Sequence, residues 1–265
     1  MQYTYFNQQC NDQTASPVLS WIRQAGKIAL HYFKRSEVRY KSNQTLITQA
    51  DIEIERYLID HISDLYPDDQ IVGEESQQKP IDPSRPNIWA VDPLDGTAVF
   101  SQGLPGWGIS VGLLRQGKPY FGCFYMPLLD DMTYTREPDS HLIGETVPPP
   151  QLKSVWGPND FLAVSASTHR KFHLDVPGMR ALGSVGASLV YTARGAAAAA
   201  LIPKARLWDL VAGAAILEEA GGTLRYLSGR PIDYLELLDG ELAPEPIIAG
   251  HPNLISELQQ AIRPL

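Results

Sequence analysis

Asp92 and Asp95 stand three apart in Trp89-Ala-Val-Asp-Pro-Leu-Asp-Gly-Thr97, on either side of a Pro-Leu pair that reads as a turn. Gly73-Glu-Glu75 precedes them, and Trp208-Asp209 follows far along the chain. A turn of this kind aims two carboxylates and a backbone carbonyl at one point, and hard divalent cations take such oxygens. Gly96-Thr97 can open a helix, whose first N–H groups suit phosphate oxygens. The segment reads as a device for holding a metal-bound phosphate. Each piece alone has an ordinary explanation. Asp, Pro and Gly are turn residues, Glu74-Glu75 is a solvated acidic pair, and Asp209 complements a helix dipole. The conjunction weighs differently, because each acidic group falls where a strand ends or a helix begins. Such ends converge at one edge of an α/β sheet, where ligands bind. Asp51, at the start of another helix, joins the candidates. Four or five unpaired carboxylates meeting there repel one another, and divalent cations are the natural remedy. Two ions ~4 Å apart clamp the attacking and leaving oxygens of a displacement at phosphorus.

The elements that position these groups follow from periodicity. Val18, Leu19, Ile22, Ala25, Ile28, Ala29, Tyr32 and Phe33 give a helical period over 17–33. Residues 34–47 are polar and read as a loop or hairpin. Thr48-x-x-Asp51 is a capping-box-like start to a second helix, which stops near Pro67. Strands are expected at 71–72, ending at Gly73-Glu-Glu75, and at 87–91, ending at Asp92. Residues 107–114 and 119–126 form a hairpin, extended by 131–135. Further strands are expected at 161–166, 196–200, 223–227 and 246–249, and helices at 184–194, 208–220 and 253–262. Gly221-Gly222 closes the helix that begins at Trp208. Pro148-Pro149-Pro150 offers a stiff spacer, so the chain divides into an N-terminal α+β lobe over 1–147 with the acidic motifs and a C-terminal α/β lobe over 148–265 that completes the site. The class is mixed α/β.

Bulk properties narrow the function. The 265 residues are 44% hydrophobic and 20% charged, ample for a core. A net charge of −8 disfavours binding nucleic acid through broad phosphate neutralisation, though bound cations still allow a small anionic substrate. Cys10 and Cys123 are too few and too far apart for a disulfide framework or a zinc site. The N-terminal residues lack the pattern of a signal peptide, and no apolar run reaches the ~20 residues of a membrane helix. A soluble, cytoplasmic protein without a membrane partner is expected.

Gly73-Glu-Glu75, the Asp92-Pro-Leu-Asp-Gly-Thr-x-x-Phe100 segment, Trp208-Asp-Leu-Val-Ala-Gly213 with Glu219-Ala-Gly-Gly222, and Lys41 with Leu46-Ile-Thr-Gln-Ala-Asp51 resemble, in order, the motifs of the inositol monophosphatase family. These are lithium-sensitive, magnesium-dependent phosphatases. The resemblance runs from about residue 16 to near the end. It implies a layered α-β-α-β-α sandwich, commonly homodimeric, with two or three Mg²⁺ ions. It implies that Glu74, Asp92 and the Leu94 carbonyl hold one metal, that Asp92, Asp95 and Asp209 hold a second, and that Glu74 with water helps hold a third. Thr97 would orient the attacking water with Asp51 or Glu74, while the N–H groups of Gly96 and Thr97 bind phosphate. Lys41 would lie on a mobile loop over the metals. The substrate would be a small phosphorylated metabolite.

The chain departs from the family in places. Ile202, six before Trp208, replaces a glutamate that touches inositol in the animal enzymes, and Ala198 also falls at an acidic position. The substrate side is thus apolar, and a polyol would leave hydroxyls unpaired there. Asn43 replaces an aspartate of several relatives, and residues 138–150 replace a glycine-rich stretch. Ser167 and Ser184 are candidate substrate contacts. The alternatives are a 3′(2′),5′-bisphosphate nucleotidase, a fructose-1,6-bisphosphatase, and a regulatory or binding module that retains the fold. Gly108-Ile-Ser110-Val-Gly112 matches the serine-hydrolase elbow but sits in a continuous strand pattern. His169 and His173 have helical spacing without the zinc-protease glutamate, and read as a surface segment. Asn43-Gln-Thr45 fits a glycosylation acceptor that matters only in a secreted chain.

Overall fold

The computed structural model describes residues 17–35, 39–40, 46–76, 81–135 and 152–265. In chain order the elements are α1 (Pro17–Tyr32), β1 (Arg39–Tyr40), β2 (Leu46–Ile47), α2 (Gln49–Leu65), β3 (Gln70–Gly73), β4 (Asn87–Asp95), α3 (Thr97–Ser101), β5 (Gly108–Arg115), β6 (Lys118–Met126) and β7 (Asp131–Tyr134). Then come β8 (Leu162–Val164), β9 (Phe172–Leu174), β10 (Met179–Ala181), α4 (Val185–Ala193), β11 (Ala199–Ile202), α5 (Leu207–Glu219), β12 (Thr223–Tyr226), β13 (Ile247–Gly250), α6 (Pro252–Ala261) and β14 (Ile262–Pro264). Lys41, Asn43, Cys10 and the expected lobe boundary at 147–148 lie outside the described residues.

Two five-stranded sheets organise the molecule, in the orders β3-β4-β5-β6-β7 and β10-β8-β11-β13-β12. In the first, β3 and β4 are parallel and the other neighbours antiparallel. In the second, β8 runs parallel to both β10 and β11. Side-chain alternation along β4 shows how the layers form. Trp89 and Val91 face α1 and α2 in one core, with Ile22, Ile54, Leu58 and Ile62. Ile88 and Ala90 face α4 and α5 in a second core, which also takes Ala200, Ile202 and Ala249 from the other sheet. A third core lies beyond that sheet, where Leu201 and Ile248 meet Ile255 and Leu258 of α6. The result is the α-β-α-β-α layering that the resemblance implies. Among the described residues no helix is long and apolar enough to cross a membrane.

The N-terminal helices, the hairpin and α5 form where periodicity places them. Differences fall on short or special segments. The alanine run starts its strand at Ala199, three residues later than expected, because Gly195 turns left-handed (φ 73°) and the N–H groups of both Ala196 and Ala197 bond to the Tyr191 carbonyl. β4 does not end at Asp92. It continues to Asp95, with an irregularity in its pairing to β5 between those two residues. Pro93 has no N–H to give the ladder, and Asp92 Oδ1 takes the Leu94 N–H at 2.9 Å. The Pro-Leu pair is thus a bulge, a device that re-aims neighbouring side chains.

Candidate active site

The bulge in β4 brings Asp92 and Asp95 to one place, and the start of α5 adds Asp209. One oxygen from each of the three lies within 4.8 Å of the others. Asp92 and Asp95 are buried, and Asp209 is partly so. Asp209 is the third residue of α5 and accepts the Arg206 N–H at 2.6 Å through Oδ2. Asp95 lies under the start of α4, where it accepts the Val185 N–H at 3.2 Å and the Gly186 N–H at 2.5 Å. Ser184 caps that helix by accepting the Ala187 N–H at 3.0 Å, and its hydroxyl also bonds to Asp95. Ser184, a candidate substrate contact, is therefore buried and engaged in supporting Asp95.

Helix α2 adds a second arm. Asp51 is fully buried and accepts the Thr48 N–H at 2.7 Å and the Thr48 hydroxyl at 2.6 Å on Oδ2. Its Oδ1 is 3.3 Å from the Thr97 hydroxyl, which is also 3.1 Å from the Leu94 carbonyl. Gly96 between them has φ 97°, a left-handed conformation that glycine adopts without strain. It also packs against Trp107 and Ser184, where a Cβ would come within 3.2 Å of both. Glu74 follows β3, with its N–H on the Val91 carbonyl at 3.2 Å. It is outside the trio, yet its charge reaches Asp51, Asp92, Asp95 and Asp209.

Burial and mutual charge set the proton affinities of the cluster. Burial, then the charges of Glu74, Asp95 and Asp209, push Asp92 well above the usual carboxylate range. Burial lifts Asp209 to about 8, with Asp95 as the main charge against it. Burial lifts Asp95 to about 6, held back by the Gly186 and Val185 N–H groups. Asp51 is raised by burial and by Glu74 against the pull of its Thr48 bonds. Among the described residues no lysine or arginine forms an ion pair with any of the trio. Crowded oxygen donors without a basic partner fit a divalent cation, which removes both the repulsion and the desolvation penalty.

Other candidates lie elsewhere. Ile202 pairs with Ile247 and is buried in the core between the sheets. Ala198 is buried, with its N–H on the Phe161 carbonyl. Ser167 is exposed beyond β8, near the Ser165 hydroxyl. Ser110 sits mid-strand in β5, opposite Asp92 and fully buried, so it makes no nucleophile elbow. The glycines beside it serve packing. A Cβ on Gly112 would lie 2.6 Å from the Ala212 N, and one on Gly108 2.5 Å from Phe124. His169 and His173 are exposed on a 3₁₀ turn and on β9, not on a helix. Glu55, which the sequence analysis did not single out, is buried and accepts bonds from Glu75 and Ser76. Its one signal in the sequence is its place four residues after Asp51.

A model of the inositol monophosphatase family matches residues 11–263. The chain belongs to that family. As a member it is a phosphatase acting on phosphoric monoesters. It is 29% identical over 247 residues to the inositol-1-monophosphatase of Bacillus subtilis, spanning 88% of this chain and 90% of that one. It is 26% identical over 216 residues to the fructose-1,6-bisphosphatase/inositol-1-monophosphatase of Thermotoga maritima, spanning 79% and 83%. The crystal structure of inositol monophosphatase II from Staphylococcus aureus matches with a TM-score of 0.73 at 25% identity, over 91% of this chain and 92% of that one. The matched residues include the acidic trio.

Proposed function

We propose that this inositol monophosphatase family member is a Mg²⁺-dependent phosphomonoesterase for a small phosphorylated metabolite. The observation that carries the reading is the convergence of Asp92, Asp95 and Asp209 within 4.8 Å, the first two buried and the third partly so, with no lysine or arginine paired to them among the described residues. Asp92, Asp95 and Asp209 would hold one Mg²⁺, and Glu74, Asp92 and the Leu94 carbonyl another, with Glu74 and water serving a third. When bound, Mg²⁺ supplies neutralisation of the phosphate charge and lowers the proton affinity of water.

The protein's own groups would do the rest. The Thr97 hydroxyl has one proton, and Asp51 Oδ1 stands ready to accept it. Its lone pairs can then take a hydrogen from the attacking water and fix the direction of attack. As the water oxygen bonds to phosphorus and the ester P–O bond breaks, the water's proton passes through Thr97 to Asp51, and the departing alkoxide takes a proton from solvent water to leave as the alcohol. Burial and the nearby charge of Glu74 raise the proton affinity of Asp51 above that of an ordinary carboxylate, which favours its role as proton acceptor. The N–H groups of Gly96 and Thr97 hold phosphate oxygens, and their dipoles stabilise charge spread over the transferred group.

Family resemblance supports lithium inhibition, a homodimer and a covering loop that carries Lys41, and the Pro148-Pro149-Pro150 spacer supports a two-lobe division after residue 147. Ile202 lies in the core between the sheets, so it does not choose among substrates. Fructose-1,6-bisphosphate and adenosine bisphosphate therefore belong beside inositol monophosphate on a test panel. Phosphate release that requires Mg²⁺ and vanishes in Asp95→Asn is the expected result. A folded wild-type protein that releases no phosphate from any phosphomonoester with Mg²⁺ would overturn the reading.

A further inference from the structure

Glu55 is a buried carboxylate on the face of α2 one turn beyond Asp51, 3% exposed. Burying such a group is costly unless it is hydrogen-bonded. Its Oε2 accepts the Glu75 N–H at 2.7 Å, and its Oε1 accepts the Ser76 hydroxyl at 2.5 Å. The same carboxylate lies against the backbone of Gly73. A Cβ there would stand 2.6 Å from its carbon and 2.7 and 2.9 Å from its two oxygens. Gly73 has no positive φ, so its glycine is explained by room for this carboxylate rather than by backbone freedom. Glu55 thus touches the residue before Glu74 and bonds the two residues after it. On the other side, the Glu74 N–H is tied to β4 through the Val91 carbonyl. The main chain of Glu74 is held from both flanks.

We propose that Glu55 is a positioning residue that fixes Glu74 relative to the acidic trio. Residues four apart on a helix share a face. Asp51 meets Thr97 and Glu55 meets the segment around Glu74, so one rigid turn of α2 sets the spacing of two groups that arrive from different loops. The inference rests on the reading of Glu74 as a cation ligand. Outer partners of this kind shape metal affinity through the ligands they orient.

The test uses the full-length protein and two variants. Glu55→Leu keeps the bulk and removes both acceptors. Glu55→Gln can keep both contacts, its carbonyl accepting the Glu75 N–H and its amide donating to the Ser76 oxygen. Two readouts are taken: amide hydrogen exchange at Glu75 without metal, and calorimetric titration of Mg²⁺. In Glu55→Leu, Glu75 exchange accelerates and Mg²⁺ affinity falls by roughly 10–100-fold, while Glu55→Gln stays within about threefold of wild type. Mg²⁺ affinity within about twofold of wild type in a folded Glu55→Leu, or Glu55→Gln as damaging as Glu55→Leu, would overturn the proposal. Should Glu55→Leu fail to fold, Ser76→Ala removes one of the two bonds; a weaker loss of Mg²⁺ affinity is then expected, and none would overturn it. A wild-type protein that takes up no Mg²⁺ would sink the metal reading instead, and Glu75 exchange in the variants would still report whether Glu55 fixes the segment.

Discussion

At Asp95 a single side chain meets opposing influences. Two N–H groups from the start of α4 favour its charge, and burial with neighbouring carboxylates opposes it. Asp95→Asn removes one charge from the trio and leaves a side chain that still accepts a hydrogen bond. Turnover should fall by at least ~100-fold, the scale on which losing a preorganised charge-stabilising group is felt, while the circular-dichroism spectrum is unchanged. The pH dependence of the metal-free protein follows from the same crowding. The carboxyls of Asp92, Asp95 and Asp209 all have raised pKa values in the fold, Asp209 up to about 8 from 3.8. Below about pH 4 they are protonated in folded and unfolded chains alike, with no penalty. As pH rises, the unfolded chain releases these protons first, so the folded state binds more protons and loses stability. Melting temperature in chelator should therefore fall from about pH 4 to about pH 8, and saturating Mg²⁺ should remove the fall. A chelated protein that grows more stable across that window through these groups, with Asp209→Asn making no difference, would contradict the charge reading. Ser110 serves as the residue-scale control: Ser110→Ala should keep full phosphatase activity in a phosphate-release assay, because its hydroxyl faces the Trp208 carbonyl at 3.5 Å inside the core.

At the scale of elements, α5 must approach the first sheet closely for Asp209 to reach Asp92. Gly112 and Gly122 are paired across β5 and β6 and lie under Ala212. A Cβ on Gly122 would be 2.1 Å from the Ala212 carbonyl oxygen. Gly122→Val should cost about 1–3 kcal/mol in chemical denaturation, as overpacking does, and should weaken Mg²⁺ binding by lifting Asp209 away; stability and Mg²⁺ affinity both at wild-type values would contradict this role. The sequence carried the helices and the long hairpin because their apolar spacing is set by the cores they face. It did not carry β9, β10 and β14. These are three-residue strands with mostly exposed positions; β10 pairs at an edge of the second sheet, and β9 and β14 pair only with each other, each with a single buried residue, too few for a readable period. Nor did alternation disclose the continuation of β4 through Pro93, since a bulge breaks the period that makes a strand readable. Glu55 was missed for a related reason: an acid on a helix reads as solvent-facing until the loop that covers it is known.

The whole molecule is a stack of layers in which the site collects contributions from β4, α2, α5 and the start of α4. Asp92 and Asp95 are close in sequence, but Asp209 arrives after more than a hundred residues and from between the two sheets. Motif spacing made the three acids legible as candidates, and only the layering shows that they share a point. Substrate choice stays least legible, because Ile202, the position from which sequence reasoning argued it, is buried in the core. A ligand that binds only the folded state stabilises it, by about 2.7 kcal/mol at a hundred times its dissociation constant, so Mg²⁺ should raise the melting temperature of wild type and do so far less for Asp209→Asn. The most direct measurement is anomalous diffraction from crystals soaked in Mn²⁺ in place of Mg²⁺. A peak at coordination distance from carboxylate oxygens of Asp92, Asp95 and Asp209 is the predicted result. Well-ordered density for the three side chains with no peak among them, in crystals shown to contain the ion, would contradict it.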